Sequence, residues 1–357
     1  MGPNMTAMPV TFPEAEKREQ IDKDIQQRIE VHKANIVRLA AAQASARTLS
    51  VAVANQPLIM LAIGDSWFNY PLTGNGFPFI DTDVIAQLSR IGNMPPTILN
   101  LAHHGFASTD EMALPKQEKI IQVLLDKSNW LNGKPDAILI SAGGNDIAGE
   151  RFCIFLDFND GKTPGLNQDR FEKALGMVEA CYLDLIALRD RMAPGVPIFT
   201  HCYDFPIPNG AHPICAGPWL KPSLDFCNWP AAEGRKIARK ALVAFRAMLV
   251  RLASDPKNNL HMVDTQGTLA DSEWANELHP VPSGFLKMAQ KVAGALSAHL
   301  RRAPIVAMAV ASDKKGKTAA LSRTKSRGSE PSHEKQVERR RAQARKVRRK
   351  RRKGAGR

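Results

Sequence analysis

The sequence predicts an α/β protein: a three-layer α/β/α sandwich around a five-stranded parallel sheet, with an N-terminal helix and a disordered basic C-terminal tail. Three observations carry this. Short apolar runs alternate with longer helix-like segments between residues 55 and 303. An isoleucine series at helical spacing precedes them. The charge is uneven, since 19 Lys+Arg and 4 Asp+Glu fall in 313–357, leaving 30 basic and 31 acidic residues in 1–312. The formal +14 of the whole chain is therefore a property of its tail.

Three regions follow: an extension over 1–54, a body over 55–303 large enough for one α/β core and a low-complexity tail over 304–357. Residues 13–47 read as one helix, with Ile21, Ile25, Ile29, Ile36 and Leu39 on one stripe. The stripe drifts from a strict heptad, which favours a helix laid on the body over a coiled-coil dimer arm. Predicted strands are 58–63, 97–102, 137–142, 197–202 and 260–264. Helical segments lie near 81–92, 115–130, 168–193, 231–254 and 282–301. Strands alternating with helices argue for right-handed βαβ units, and ligands in such sheets bind at the carboxyl ends of the strands. Residues 205–230 hold six prolines and read as a long loop over that edge.

Five cysteines (Cys153, Cys181, Cys202, Cys215 and Cys227) do not read as a disulfide framework. No apolar run reaches the length of a membrane span and no secretory leader is read, so the expected location is cytoplasmic. The opening "MGPNMT" fits a myristoylation pattern, but six residues with a rigid Pro3 read as coincidence. His201, His212, Cys202, Cys215 and Cys227 lack compact ligand spacing, so neither metal nor cofactor is expected.

The chemistry-bearing residues sit where predicted strands stop. Gly64-Asp65-Ser66 ends the first, Gly105 follows the second, and Gly143-Gly144-Asn145-Asp146 follows the third. Asn276-Glu277-Leu278-His279 precedes the last helix. A serine hydroxyl needs a nearby base, here His279. Attack by Ser66 on a carbonyl makes an oxyanion, for which the Ser66 N–H, the Gly105 N–H and the Asn145 amide are the candidate donors. Read singly, Ser66 fits a helix N-cap, Gly105 a positive-φ turn and Asn145 a turn residue. Asp146 reads as structural, and His103 and His104 as polar loop residues.

These four blocks in this order resemble the SGNH (GDSL) hydrolase superfamily over residues 55–303. The resemblance implies a flavodoxin-like sandwich and metal-free acyl hydrolysis by a serine hydrolase of the esterase, lipase or acetylhydrolase type. One block departs from the pattern, since the acid expected three residues before the histidine is Asn276. Its amide oxygen can accept the Nδ1–H bond but stabilises imidazolium poorly. Glu277 is the adjacent alternative, Asp271 and Asp204 are more distant ones, and a Ser-His dyad on a backbone carbonyl is a third. Trp67, Phe68 and Tyr70 read either as pocket or as core, and Trp219 and Trp229 as pocket residues in the long loop.

The expected partner is a small-molecule, lipid or carbohydrate ester. The other reading is a catalytically impaired SGNH-fold binding module whose tail binds nucleic acid, anionic membrane or another polyanion. That tail has no aromatic residue for base stacking, so its contacts would be electrostatic. Heparin retention that disappears on deleting 313–357, and that falls with added salt in the full chain, is the expected outcome. Equal retention of the truncated chain would remove the tail reading.

Overall fold

A computed structural model describes residues 13–48, 56–71, 82–212 and 217–300. The chain divides into the units 1–308 and 309–357, and every described residue lies in the first. The basic tail, the "MGPNMT" opening and Cys215 lie outside the described residues.

The strands are β1 (Ile59–Gly64), β2 (Thr97–Asn100), β3 (Ala137–Ser141), β4 (Ile198–His201) and β5 (Leu260–Val263). They form one sheet of order β2-β1-β3-β4-β5, and all four pairings are parallel. This is the doubly wound, flavodoxin-like order. β1, β3 and β4 are buried along their length, as sheet interiors covered on both faces must be, whereas β2 and β5 are partly exposed at the edges.

The helices are α1 (Pro13–Thr48), α2 (Val84–Leu88), α3 (Ser108–Glu111), α4 (Leu114–Leu125) and α5 (Gly144–Ile147), then α6 (Gln168–Met192), α7 (Lys221–Phe226), α8 (Ala231–Ser254) and α9 (Pro282–Leu300). α2 packs on α9 along one side of the sheet, while α4, α6 and α8 pack together on the other. None of the described helices is long and apolar enough to cross a membrane. The segment expected to be helical over 81–92 is helical only over Val84–Leu88, where Asp83 caps the start by accepting from the Ala86 N–H. The 205–230 segment, expected as loop throughout, contains α7. Its Pro222 sits in the first turn, where a missing N–H costs nothing.

α1 lies against the β2 edge of the sheet. Ile21, Ile25, Ile29 and Ile36 are buried there, and between them His32 Nε2 bonds to the Asn129 carbonyl at 2.9 Å. Arg28 donates to the Ala102 carbonyl at 3.0 Å, satisfying backbone just beyond the β2 end. A bare edge strand invites pairing with another chain, and the helix covers this one. Ile25 is 1% exposed. Ile25→Ala should lower the unfolding free energy by about 2–4 kcal/mol, read from a shifted denaturant midpoint. An unchanged midpoint would mean that α1 docks without contributing to the core.

Candidate active site

The end of β1 is built by steric necessity. Gly64 has φ +137°, and a Cβ there would lie 2.2 Å from the Ser141 carbonyl oxygen on β3. Only glycine lets the two strands run that close while turning the chain outward. The turn that follows is held by Asp65. Its carbonyl accepts from the Phe68 and Asn69 N–H groups at 3.0 Å each, and its carboxylate Oδ1 accepts from the Trp67 N–H at 3.0 Å. Ser66 thus stands in a tight turn, not at a helix N-terminus, which corrects the N-cap reading. The Ser66 N–H and the Gly105 N–H have no acceptor among the described residues.

Ser66 Oγ lies 2.7 Å from His279 Nε2. His279 arrives on a short loop closed by an antiparallel bridge between Trp274 and Pro280 and by the Ala275 N–H to His279 carbonyl bond of 2.9 Å. Asn276 organises this loop from within. Its Oδ1 accepts from the backbone N–H of Leu278 (3.0 Å) and of His279 (2.9 Å), and stands 3.0 Å from His279 Nδ1. Its Nδ2 donates to the Tyr70 hydroxyl at 3.1 Å. Two backbone donors require an oxygen at that position, so the amide cannot be reversed. The Nδ1 of His279 then carries the proton and Nε2 is the acceptor facing Ser66. Burial, with the nearby His104 charge second, pushes the His279 imidazole down to about 3, so it is neutral at pH 7.

Glu277 does not orient His279. Its Oε1 accepts from the backbone N–H of Gly210 and Lys221 (3.0 Å each), and its Oε2 from those of Trp219 (2.6 Å) and Leu220 (2.9 Å). A carboxylate saturated by four amides is fixed, and this one ties the long loop down beside the histidine. Asp204 does the same elsewhere, taking N–H groups of Phe205, Gly267, Thr268 and Leu269. Asp271 pairs with Arg235 at the surface. Neither turns toward the imidazole.

A solvent-open cleft of about 400 Å³ is lined by Ser66, Asn145 and His279 together with Trp67, Tyr203, Leu242, Trp274 and Leu278. Asn145 Nδ2 donates to the Phe106 carbonyl at 2.8 Å, tying α5 to the loop of Gly105, whose φ is +83°. Gly105 itself is not among the residues lining the cleft. Asp146 accepts from the Ser108 N–H and hydroxyl at 2.7 and 2.9 Å, a structural role. Trp67 borders the cleft but is mainly core, with its indole N–H on the Leu278 carbonyl at 3.1 Å and its ring stacked 5.2 Å from His201. Neither of the two tryptophans expected to line a pocket from the long loop borders the cleft: Trp219 is half-buried with its ring 5.5 Å from His279, and Trp229 donates to the Asp157 carbonyl.

Sequence reasoning missed Tyr203, Ser141 and the role of His201. The Tyr203 and Ser141 hydroxyls both reach the Asp65 carboxylate, at 2.5 and 2.6 Å, and His201 Nε2 lies 2.9 Å from Ser141 Oγ. His201 Nδ1 accepts from the Tyr203 N–H at 3.2 Å, so Nε2 carries the proton and every donor points toward Asp65. Burial holds His201 down to about 3. Tyr203 adopts φ +54°, a conformation costly for a bulky residue and one that no local sequence signal announces.

The four sequence blocks meet at the carboxyl edge of a sheet with strand order 2-1-3-4-5. In blocks and in fold the chain resembles the SGNH (GDSL) hydrolases. No family model matches it, and no curated protein does. Among solved structures it is similar to the lipase Lip_vut3 from a goat rumen metagenome, at 17% identity over 68% of this chain and 99% of that one, with TM-score 0.45. It is also similar to an extracellular lipase from Streptomyces rimosus, at 17% identity over 66% and 98%, with TM-score 0.42. A family 3 carbohydrate esterase from Clostridium thermocellum aligns at 15% identity over 69% and 98%, with TM-score 0.38.

Asp65 makes a pH test available. Burial raises its carboxyl to about 6 despite the donors from Ser141, Tyr203 and Trp67. The unfolded chain releases that proton near pH ~4. Between those values the folded state binds more protons, so this group's contribution to stability is present at low pH and lost as pH rises through 6. The stability of the protein minus that of Asp65→Asn should therefore fall by about 2–3 kcal/mol from pH 4 to 6. A difference that rises with pH would mean that the three donors outweigh burial.

Proposed function

We propose that the protein is a serine ester hydrolase in which Ser66 is the nucleophile and His279 the base. The observation that carries this is the 2.7 Å contact between Ser66 Oγ and an unprotonated His279 Nε2 at the wall of an open cleft. Ser66 attacks the acyl carbonyl as its proton passes to Nε2. The oxyanion is held by the Ser66 N–H, the Gly105 N–H and the Asn145 amide. The leaving group departs, and water activated by the same imidazole releases the acyl group from Ser66. Asn276 is the histidine's orienter. The substrate is an uncharged ester, because the carboxylates lining the cleft, Asp65 and Asp204, are both held by protein donors and no Lys or Arg among the described residues lines it.

A second reading keeps the fold as a carrier for the tail, and the tail's 19 basic against 4 acidic residues favours it. The two separate on one experiment. Fluorophosphonate should label the protein, and labelling should vanish in Ser66→Ala and fall at least 100-fold in rate in His279→Ala. No labelling of the folded wild type would sink the hydrolase and leave the tail as the working part.

A further inference from the structure

Tyr203 leaves β4 with φ +54°, a conformation that a bulky side chain holds only where its surroundings enforce it. They do so at both ends of its backbone. Its N–H donates to His201 Nδ1 at 3.2 Å, and its carbonyl accepts from the Thr265 hydroxyl at 3.0 Å, just beyond β5. The ring stands edge-on to Trp67 at 5.2 Å and tilted against Phe245 at 5.6 Å, and the residue is 4% exposed. A side chain clamped in this way fixes the place of its hydroxyl. That hydroxyl donates to Asp65 Oδ2 at 2.5 Å and accepts from the Gly144 N–H at 3.2 Å. Burial, with the Asp65 charge second, holds the phenol well above its usual range, so it keeps the proton it gives to Asp65. The Gly144 N–H opens α5, where a helix has no acceptor of its own, and the phenol supplies one. The contact is close enough to dictate the residue: a Cβ on Gly144 would lie 2.8 Å from Tyr203 Cζ.

Asp65 precedes Ser66 in the chain, and Gly144 precedes Asn145. One phenol oxygen therefore joins the residue before Ser66 to the residue before Asn145. The Asn145 side chain is held as well. One of its two amide hydrogens goes to the Phe106 carbonyl at 2.8 Å, which leaves the other for a group bound in the cleft. Resting on the hydrolase reading above, we propose that Tyr203 is a positioning residue whose hydroxyl sets the distance between Ser66 Oγ and the Asn145 amide, so that the oxyanion forms within reach of that donor. The Tyr203 ring borders the cleft, but its hydroxyl is engaged by Asp65 and Gly144 and does not act on the substrate. Charge on the carbonyl oxygen develops only as Ser66 attacks, so correct spacing favours the transition state and not the bound ester. His279 is held by its own 274–280 loop and does not depend on this link.

The test is steady-state hydrolysis of p-nitrophenyl acetate by the full chain, with and without Asn145→Ala. Tyr203→Phe keeps the ring and removes the hydroxyl. It should lower kcat about 10- to 100-fold, the scale of a misplaced reacting group, and leave KM within about twofold. In the Asn145→Ala background the amide to be placed is gone, and the same substitution should cost less than about threefold. Gly144→Ala approaches from the other side. It keeps the hydroxyl and Asn145 but forces the ring and α5 apart, and it should reproduce both results. A chain that is merely less folded would lose the same factor with or without Asn145. An equal loss in the two backgrounds, or a wild-type kcat in Tyr203→Phe, would therefore overturn the inference while leaving the hydrolase standing. If Tyr203→Phe does not fold, Gly144→Ala decides by the same criterion. Hydrolysis undiminished in Ser66→Ala would instead overturn the hydrolase reading, and the inference with it.

Discussion

The buried carboxylate of Asp65 is the constraint on which the site depends. It lies at the exit of β1, where Gly64 lets the chain pass within contact of β3, and it receives one donor from each neighbouring segment. The Trp67 N–H shapes the turn that presents Ser66. The Ser141 hydroxyl fastens it to β3, and the Tyr203 hydroxyl to the exit of β4. His201 closes the network from β4 by pointing its Nε2 proton at Ser141. A charge that would be prohibitively costly to bury alone is tolerable when three donors converge on it, and those donors come from three places in the sequence. The position of Ser66 is thereby referenced to the sheet and not to a loop.

His279 is positioned by a second, independent device of local origin. Asn276, the Leu278 and His279 amides and the 274–280 bridge form a self-contained clip. Its outward attachments include Asn276 to Tyr70, Leu278 to the Trp67 indole, and Glu277 to the long loop. Ser66 and His279 therefore meet through two rigid pieces whose junction is lined by Trp67, itself one residue from Ser66.

The architecture was legible because its signal is periodic. Apolar runs of strand length alternating with amphipathic helices specify a parallel sheet, and each strand lies within two residues of its expected bounds at either end. The isoleucine stripe of α1 likewise specified a helix laid on the body. Short elements escaped. α7 is six residues inside a proline-rich stretch, too brief for periodicity to register. The residues that the sequence singles out by chemistry, Ser66 and Asn145 after strands and His279 before the last helix, do line one cleft. The site was not legible where function depends on which of two adjacent side chains turns inward. Asn276 and Glu277 differ by one position, and a carboxylate is the better orienter by charge alone. The structure places the amide on the imidazole because four loop amides claim the carboxylate. Tyr203 and Ser141 were invisible for a related reason, since their partner, Asp65, lies 138 and 76 residues away in sequence.

The four amides gathered by Glu277 also bear on how such a protein can diversify. A surface loop is ordinarily the part of a fold that can be exchanged at little cost, which lets one scaffold acquire new substrates. Here four loop amides are stitched to Glu277, two residues before His279. Grafting a foreign segment over 205–220 would put at risk three of the four amides that hold a fully buried carboxylate, leaving only that of Lys221, next to the clip that positions His279. Loop and clip are thus a single evolutionary cassette. Variation in what the cleft admits has to pass either through changes made jointly at 277 and in the loop, or through the opposite wall, where Leu242 and Ala148 are free of that bond.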